Sequence, residues 1–188
     1  MRVVLAGLIG GIVFFAWGAI AHMALPIGQM GMGQAGAGED AVIAALHDHL
    51  GGEGVYAVPD LPPDKMGDAA AVKAYADKAK ASPYAFVIYQ PIGRDMTDMG
   101  GNLVVQAISD IVSAIIVAWV LSLGALGFGK RLAASTLLGL FSFLTVSVPW
   151  WNWYRFPTAF TVGSLLEQVI GWALAGAAIA WWLGRGGR

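Results

Sequence analysis

Two carboxylates in this chain lie where carboxylates are rare. Of its twelve acids, ten fall between residues 26 and 101, and the remaining two, Asp110 and Glu167, sit inside long apolar runs at 102–126 and 162–183. An ionised side chain placed in hydrocarbon costs about 2.5 kcal/mol or more, so such a group faces neighbouring helices, pairs, or holds a ligand or proton. Gln106, Asp110 and Ser113 follow one another at helical spacing, which gathers their polar atoms on one face. Counting a rise of 1.5 Å per residue from helix starts near Leu103 and Val162 puts Asp110 roughly 10 Å and Glu167 roughly 8 Å below the same boundary. His22 closes the first apolar run on that side, and Arg155 hangs from the segment above. Two chemistries fit these residues. One is a polar pocket of His22, Gln106, Asp110, Arg155 and Glu167 that binds a small ligand or relays protons. The other is a structural network in which Arg155 reaches down to Asp110 or Glu167 and pins the helices.

A second constellation has a metal flavour. His22, Met23, Met30 and Met32 combine imidazole and thioether donors, which suit Cu(I). Met96 and Met99 flank the other end of the same segment. Methionine is also ordinary apolar filler, so no metal or other cofactor is expected. His47 and His49 diverge by about 200° on a helix and cannot chelate one ion from there. Cysteine is absent, which removes disulfides, thiolate zinc sites and thiol catalysis together. The chain holds no G-x-S-x-G, H-E-x-x-H, P-loop or dinucleotide fingerprint, so no enzyme activity is expected.

The elements that position these residues follow from hydropathy. Of 188 residues, 57% are hydrophobic and 12% charged, against roughly 25% charged in an ordinary soluble domain. A lipid bilayer must take up part of that apolar surface. The net charge of −1 leaves no basic stripe for nucleic acid. Apolar runs at 3–25, 102–126, 132–150 and 162–184 each approach the roughly 20 residues needed to cross a hydrocarbon core. Arg2 and Ala19-Ile20-Ala21 also resemble the ends of a secretory signal, but the first run exceeds the h-region length of about 7 to 15 residues, so a retained helix is expected. Ala6, Gly7, Gly10, Gly11 and Gly18 give that helix a small-residue face for close packing.

Residues 26–101 read as a water-exposed α+β cap inserted between helices 1 and 2. It opens on a flexible Gly, Met and Gln linker at 28–38. A helix is expected at 39–50, a strand at 55–58, a second helix at 68–81 and an aromatic, β-branched strand at 84–89. The fold class is therefore an all-α membrane domain, a four-transmembrane-helix bundle, carrying this small cap. Residues 1–25 form helix 1 and residues 102–188 helices 2 to 4. Short cytoplasmic loops retain Lys and Arg. Arg2, Lys130, Arg131, Arg185 and Arg188 fall on one side of four spans, which places both termini in the cytoplasm and the cap in the periplasm or exterior. Trp150, Trp151, Trp153 and Tyr154 form an interfacial aromatic belt at the opposite boundary, with Trp181 and Trp182 at the near one.

The stretch Trp17-Gly-Ala-Ile-Ala-His22-Met-Ala-Leu-Pro26, with the short acidic helix that follows, resembles a family of small four-helix bacterial inner-membrane proteins. Val148-Pro-Trp-Trp-Asn-Trp-Tyr-Arg-Phe-Pro157 and the Gly-Trp-Ala-rich last helix extend that resemblance. It implies a bacterial inner-membrane location and no assigned activity. The function expected is a non-catalytic accessory or interaction subunit of a larger membrane assembly, whose partners are the bilayer and other membrane subunits or a second copy. The alternatives are small-ligand or proton handling by the intramembrane cluster, and periplasm-facing copper handling.

Overall fold

A computed structural model describes residues 1–185 and is mostly helical. It has four helices long and apolar enough to cross a membrane and one small two-stranded sheet. The chain divides into two compact units, Met1–Gly33 together with the chain from Thr97 onward, and Gln34–Met96.

The first unit is the helical one. Helix α1 runs over Arg2–Met23, α4 over Gly100–Ser122, α5 over Phe128–Ser142, α6 over Val148–Tyr154 and α7 over Thr158–Gly184. α1 packs between α4 and α7, and α5 packs on the other side of α7. The chain thus lays its first long helix between its second and fourth. Glycine makes the α1–α4 approach possible, because a methyl group on Gly7 or Gly11 would stand 2.5 Å from the Cα of Ile115 or Ile111. Those are backbone atoms and cannot rotate away. Gly10 faces Ile179 of α7 instead, and Gly18 faces open space. The small residues of α1 therefore serve two interfaces. The core they enclose joins Ala6, Ala114, Val117, Ala118, Leu121, Trp172, Ala175 and Ile179.

The third span differs from the run at 132–150. It begins at Phe128 and continues to Tyr154. The connection to α7 shrinks from the 151–161 left between the two apolar runs to Arg155-Phe156-Pro157. Between α5 and α6, Phe143–Ser147 widens into a π-turn. Pro149 explains it. Its ring excludes the carbonyl four residues back and it has no N–H to donate, so the helix in front of it opens rather than breaks. The Thr145 hydroxyl donates to the Phe141 carbonyl at 2.8 Å within that loosened stretch. Arg155 ends α6 in the left-handed region, φ 58° and ψ 34°, two residues before Pro157.

The glycine-rich segment after α1 is also more ordered than a free linker. Pro26–Gln29 forms a 3-10 turn, and Gly163 of α7 lies close against the Ile27 carbonyl and the Met30 side chain. Gly31, at φ 74°, lies against the backbone of Phe160. Glycine supplies both the positive φ and the room for that approach.

The second unit holds α2 (Glu39–His49), β1 (Gly54–Val58), α3 (Ala69–Ala81) and β2 (Ala85–Tyr89). Asp68 caps α3, its carboxylate accepting from the backbone N–H groups of Ala70 and Ala71. β1 and β2 pair antiparallel, with Val55 opposite Ile88 and Tyr56 opposite Val87. Pro59 is the one buried residue of this unit among the described residues. A 63-residue span, Gln34–Met96, therefore folds with almost no interior of its own.

Candidate functional site

Asp110 is the buried acid of the bundle, 6% exposed. Its place on α4 puts Gln106 one turn earlier, and the Gln106 amide donates to the Asp110 Oδ1 at 2.8 Å. Glu167 projects from the third turn of α7, and its Oε1 lies 3.1 Å from His22 Nε2 in the last turn of α1. The two carboxylates are near enough to act on each other electrostatically. Three helices thus bring their polar side chains to one end of the bundle. Gln106 and Asp110 form one pair, His22 and Glu167 the other. Neither of these bonds involves Arg155, the residue expected to do the pinning. The helix-to-helix tie is made by the His22 imidazole.

Two supports were not legible as site residues. The Trp17 indole N–H donates to the backbone carbonyl of Glu167 at 3.0 Å, so α1 holds the same residue of α7 through side chain and backbone together. An indole within an apolar helix seeks such an acceptor, which is the signal that Trp17 offered. Gly28 is the second. The His22 ring packs against it so closely that any side chain there would overlap the imidazole. The turn after α1 therefore folds back over His22 and holds its ring in place. The His22 side chain remains 53% exposed and that of Glu167 28% exposed, so this end of the site opens outward while Asp110 sits behind it.

The metal candidates do not converge. Met23 and Met32 are exposed, Met30 lies against Gly163, and the His22 Nε2 faces Glu167. Among the described residues no three His, Cys, Asp or Glu side chains group as a metal site. His47 bonds its own neighbour Asp48 at 3.1 Å on the exposed surface of α2.

The belt aromatics Trp150, Trp151, Trp153 and Tyr154 all stand on α6 and are all exposed. Trp151 donates to the Thr158 hydroxyl at 3.2 Å, and Trp150 meets Phe156 edge-on with centroids 5.0 Å apart. These contacts close the turn between the third and fourth candidate spans.

At the opposite end of the bundle the bases gather. Arg2 donates to the carbonyls of Trp182 and Leu183 at 3.3 and 2.6 Å, satisfying the last turn of α7. Arg131 reaches the Leu121 carbonyl at 3.4 Å, and Arg185 lies over the Trp181 ring at 4.4 Å. Arg188, grouped with them from the sequence, lies outside the described residues.

No protein-family model matches the chain, and neither a curated protein nor a solved structure matches it.

Proposed function

We propose that this multi-pass membrane protein is a non-catalytic interaction subunit, and that its extramembrane unit is the surface a partner covers. The observation that carries this reading is the apolar surface of Gln34–Met96. Val42 and Ile43 of α2, and the cross-strand pair Val55 and Ile88, are each about half exposed or more. A two-stranded sheet is marginal in water without something packed on it, and Val55 and Ile88, exposed opposite each other across the two strands, are apolar surface that a partner would cover. The distribution of Arg and Lys supports an orientation with both termini in the cytoplasm and this unit on the opposite side of the membrane. Purification in mild detergent followed by native mass spectrometry tests the reading. A mass above that of the single chain is expected, and it should fall to the single-chain mass in Val42→Asp/Ile43→Asp. Recovery of the wild-type chain only at its own mass would sink it.

A second reading rests on a different observation, the burial of Asp110 beside Glu167. Here the cluster of His22, Gln106, Asp110 and Glu167 handles protons or a small ligand, with His22 and Glu167 at its open end. Reconstitution in vesicles with an internal pH dye tests it. Asp110→Asn should abolish proton flux while the bundle remains folded at the assay temperature, and wild-type vesicles without flux would exclude it.

A further inference from the structure

The basic end of the bundle and the groove beside it belong together. Arg2, Arg131 and Arg185 each have a protein group under their guanidinium. Lys130 is different, because it is exposed and, among the described residues, makes no ion pair. The acids of this unit, Asp98, Asp110 and Glu167, all lie toward the other end, so among the described residues of this unit no acidic side chain stands beside Lys130. Along α5, Lys130, Ala133 and Leu137 follow at i, i+3 and i+7 and share one face. That face leads into an apolar groove of about 320 Å³ between α5 and α7. Its walls are Leu137 and Leu140 on one side and Leu165, Leu166, Val169 and Ile170 on the other. Thr136 also lines it, but its hydroxyl turns back to the Leu132 carbonyl at 2.9 Å. The groove therefore presents hydrocarbon alone, beginning about 10 Å from Lys130 along the helix.

We infer that an anionic phospholipid binds here, its phosphate on the Lys130 ammonium and one acyl chain in the groove between α5 and α7. Charge and shape select the same occupant. A cation at the helix start attracts an acidic headgroup, and a lysine stem is long enough to place its ammonium at headgroup level while its methylenes lie along apolar surface. A partner helix would fill the groove too, but only one that also carries an acid at the level of Lys130 would meet its charge, whereas an anionic lipid brings acyl chain and anion in one molecule. The inference rests on the membrane insertion assumed above, so the experiment separates the two.

Carbonate extraction of membranes carrying the full chain comes first, and release into the supernatant would overturn both readings. With the chain retained, native mass spectrometry in mild detergent is run with equal amounts of phosphatidylglycerol and phosphatidylcholine bearing the same acyl chains. Phosphatidylglycerol should be retained about fivefold over phosphatidylcholine, as one lysine near the headgroups provides. Lys130→Gln should erase that preference and Lys130→Arg should keep it. Leu137→Trp, which fills the groove, should lower retention of both lipids. Inorganic phosphate at millimolar concentration should displace neither. Equal retention by the wild type, a preference that survives Lys130→Gln, displacement by inorganic phosphate, or a lipid-free dimer broken by Leu137→Trp would each overturn the lipid assignment while leaving membrane insertion intact.

Discussion

The imidazole of His22 reaches the carboxylate of Glu167 at 3.1 Å, joining the last turn of α1 to the third turn of α7 at the same residue whose carbonyl takes the Trp17 indole. The two bonds differ in exposure, and that decides what each contributes. The His22–Glu167 pair is partly solvated and is worth about 0.2 to 1 kcal/mol, whereas the Trp17 bond lies deeper, about 8 Å along α1 by helical rise.

A double-mutant cycle of His22→Ala and Glu167→Gln is therefore expected to give a coupling energy under about 1 kcal/mol. Thermal unfolding in detergent micelles, followed by circular dichroism, reads it. A coupling several times larger would mean that the pair is shielded from water.

Gln106 is the donor to a buried carboxylate, and its loss should cost more than a change to the carboxylate itself. Gln106→Leu leaves Asp110 without that hydrogen bond and is expected to destabilise by about 1 to 3 kcal/mol. Asp110→Asn keeps a side-chain acceptor facing the same amide and should cost less. Reversal of that order in the unfolding midpoints would show that Gln106 is not the main support of Asp110.

The α1–α4 seam depends on two glycines and is indifferent to a third. Gly7→Ala forces a methyl group onto the backbone of Ile115, at a cost of about 1 to 3 kcal/mol from overpacking. Gly18→Ala meets nothing within 4 Å and should be neutral or slightly stabilising. Equal effects of the two substitutions would contradict the packing of α1 between α4 and α7.

Across the α5–α7 seam, Ser135 is fully buried and donates to the Trp172 carbonyl at 2.7 Å. Ser135→Ala should cost about 0.6 kcal/mol, the average for such bonds between membrane helices. Gly176 lies directly against the Ser135 side chain, so Gly176→Ala should destabilise more, and Ser135→Gly should recover much of that loss. Failure of the second substitution to rescue the first would place the clash elsewhere.

Composition and period alone determined the element types. Uninterrupted apolar length announces the four long helices, because each must satisfy its backbone internally and bury or shed its side chains over about 20 residues. Local chemistry marked out the small unit as well. Asp68 caps α3 and the Gly51-Gly52 pair follows α2, since caps and breakers act within a few residues. Asp110 and Glu167 were conspicuous because charge is rare in apolar runs.

Only the tertiary structure decided how these parts meet. The small-residue spacing of α1 fits any helix neighbour, and nothing local says that Gly7 faces α4 while Gly10 faces α7. Partner choice among side chains depends on which helices touch, so the sequence pointed to Arg155 as the tie to Glu167, and only the packing of α1 against α7 gives that place to His22. The turn that folds Gly28 over His22 was hidden for the same reason. A glycine-rich segment reads as flexible until the ring that requires its missing side chain is placed beside it.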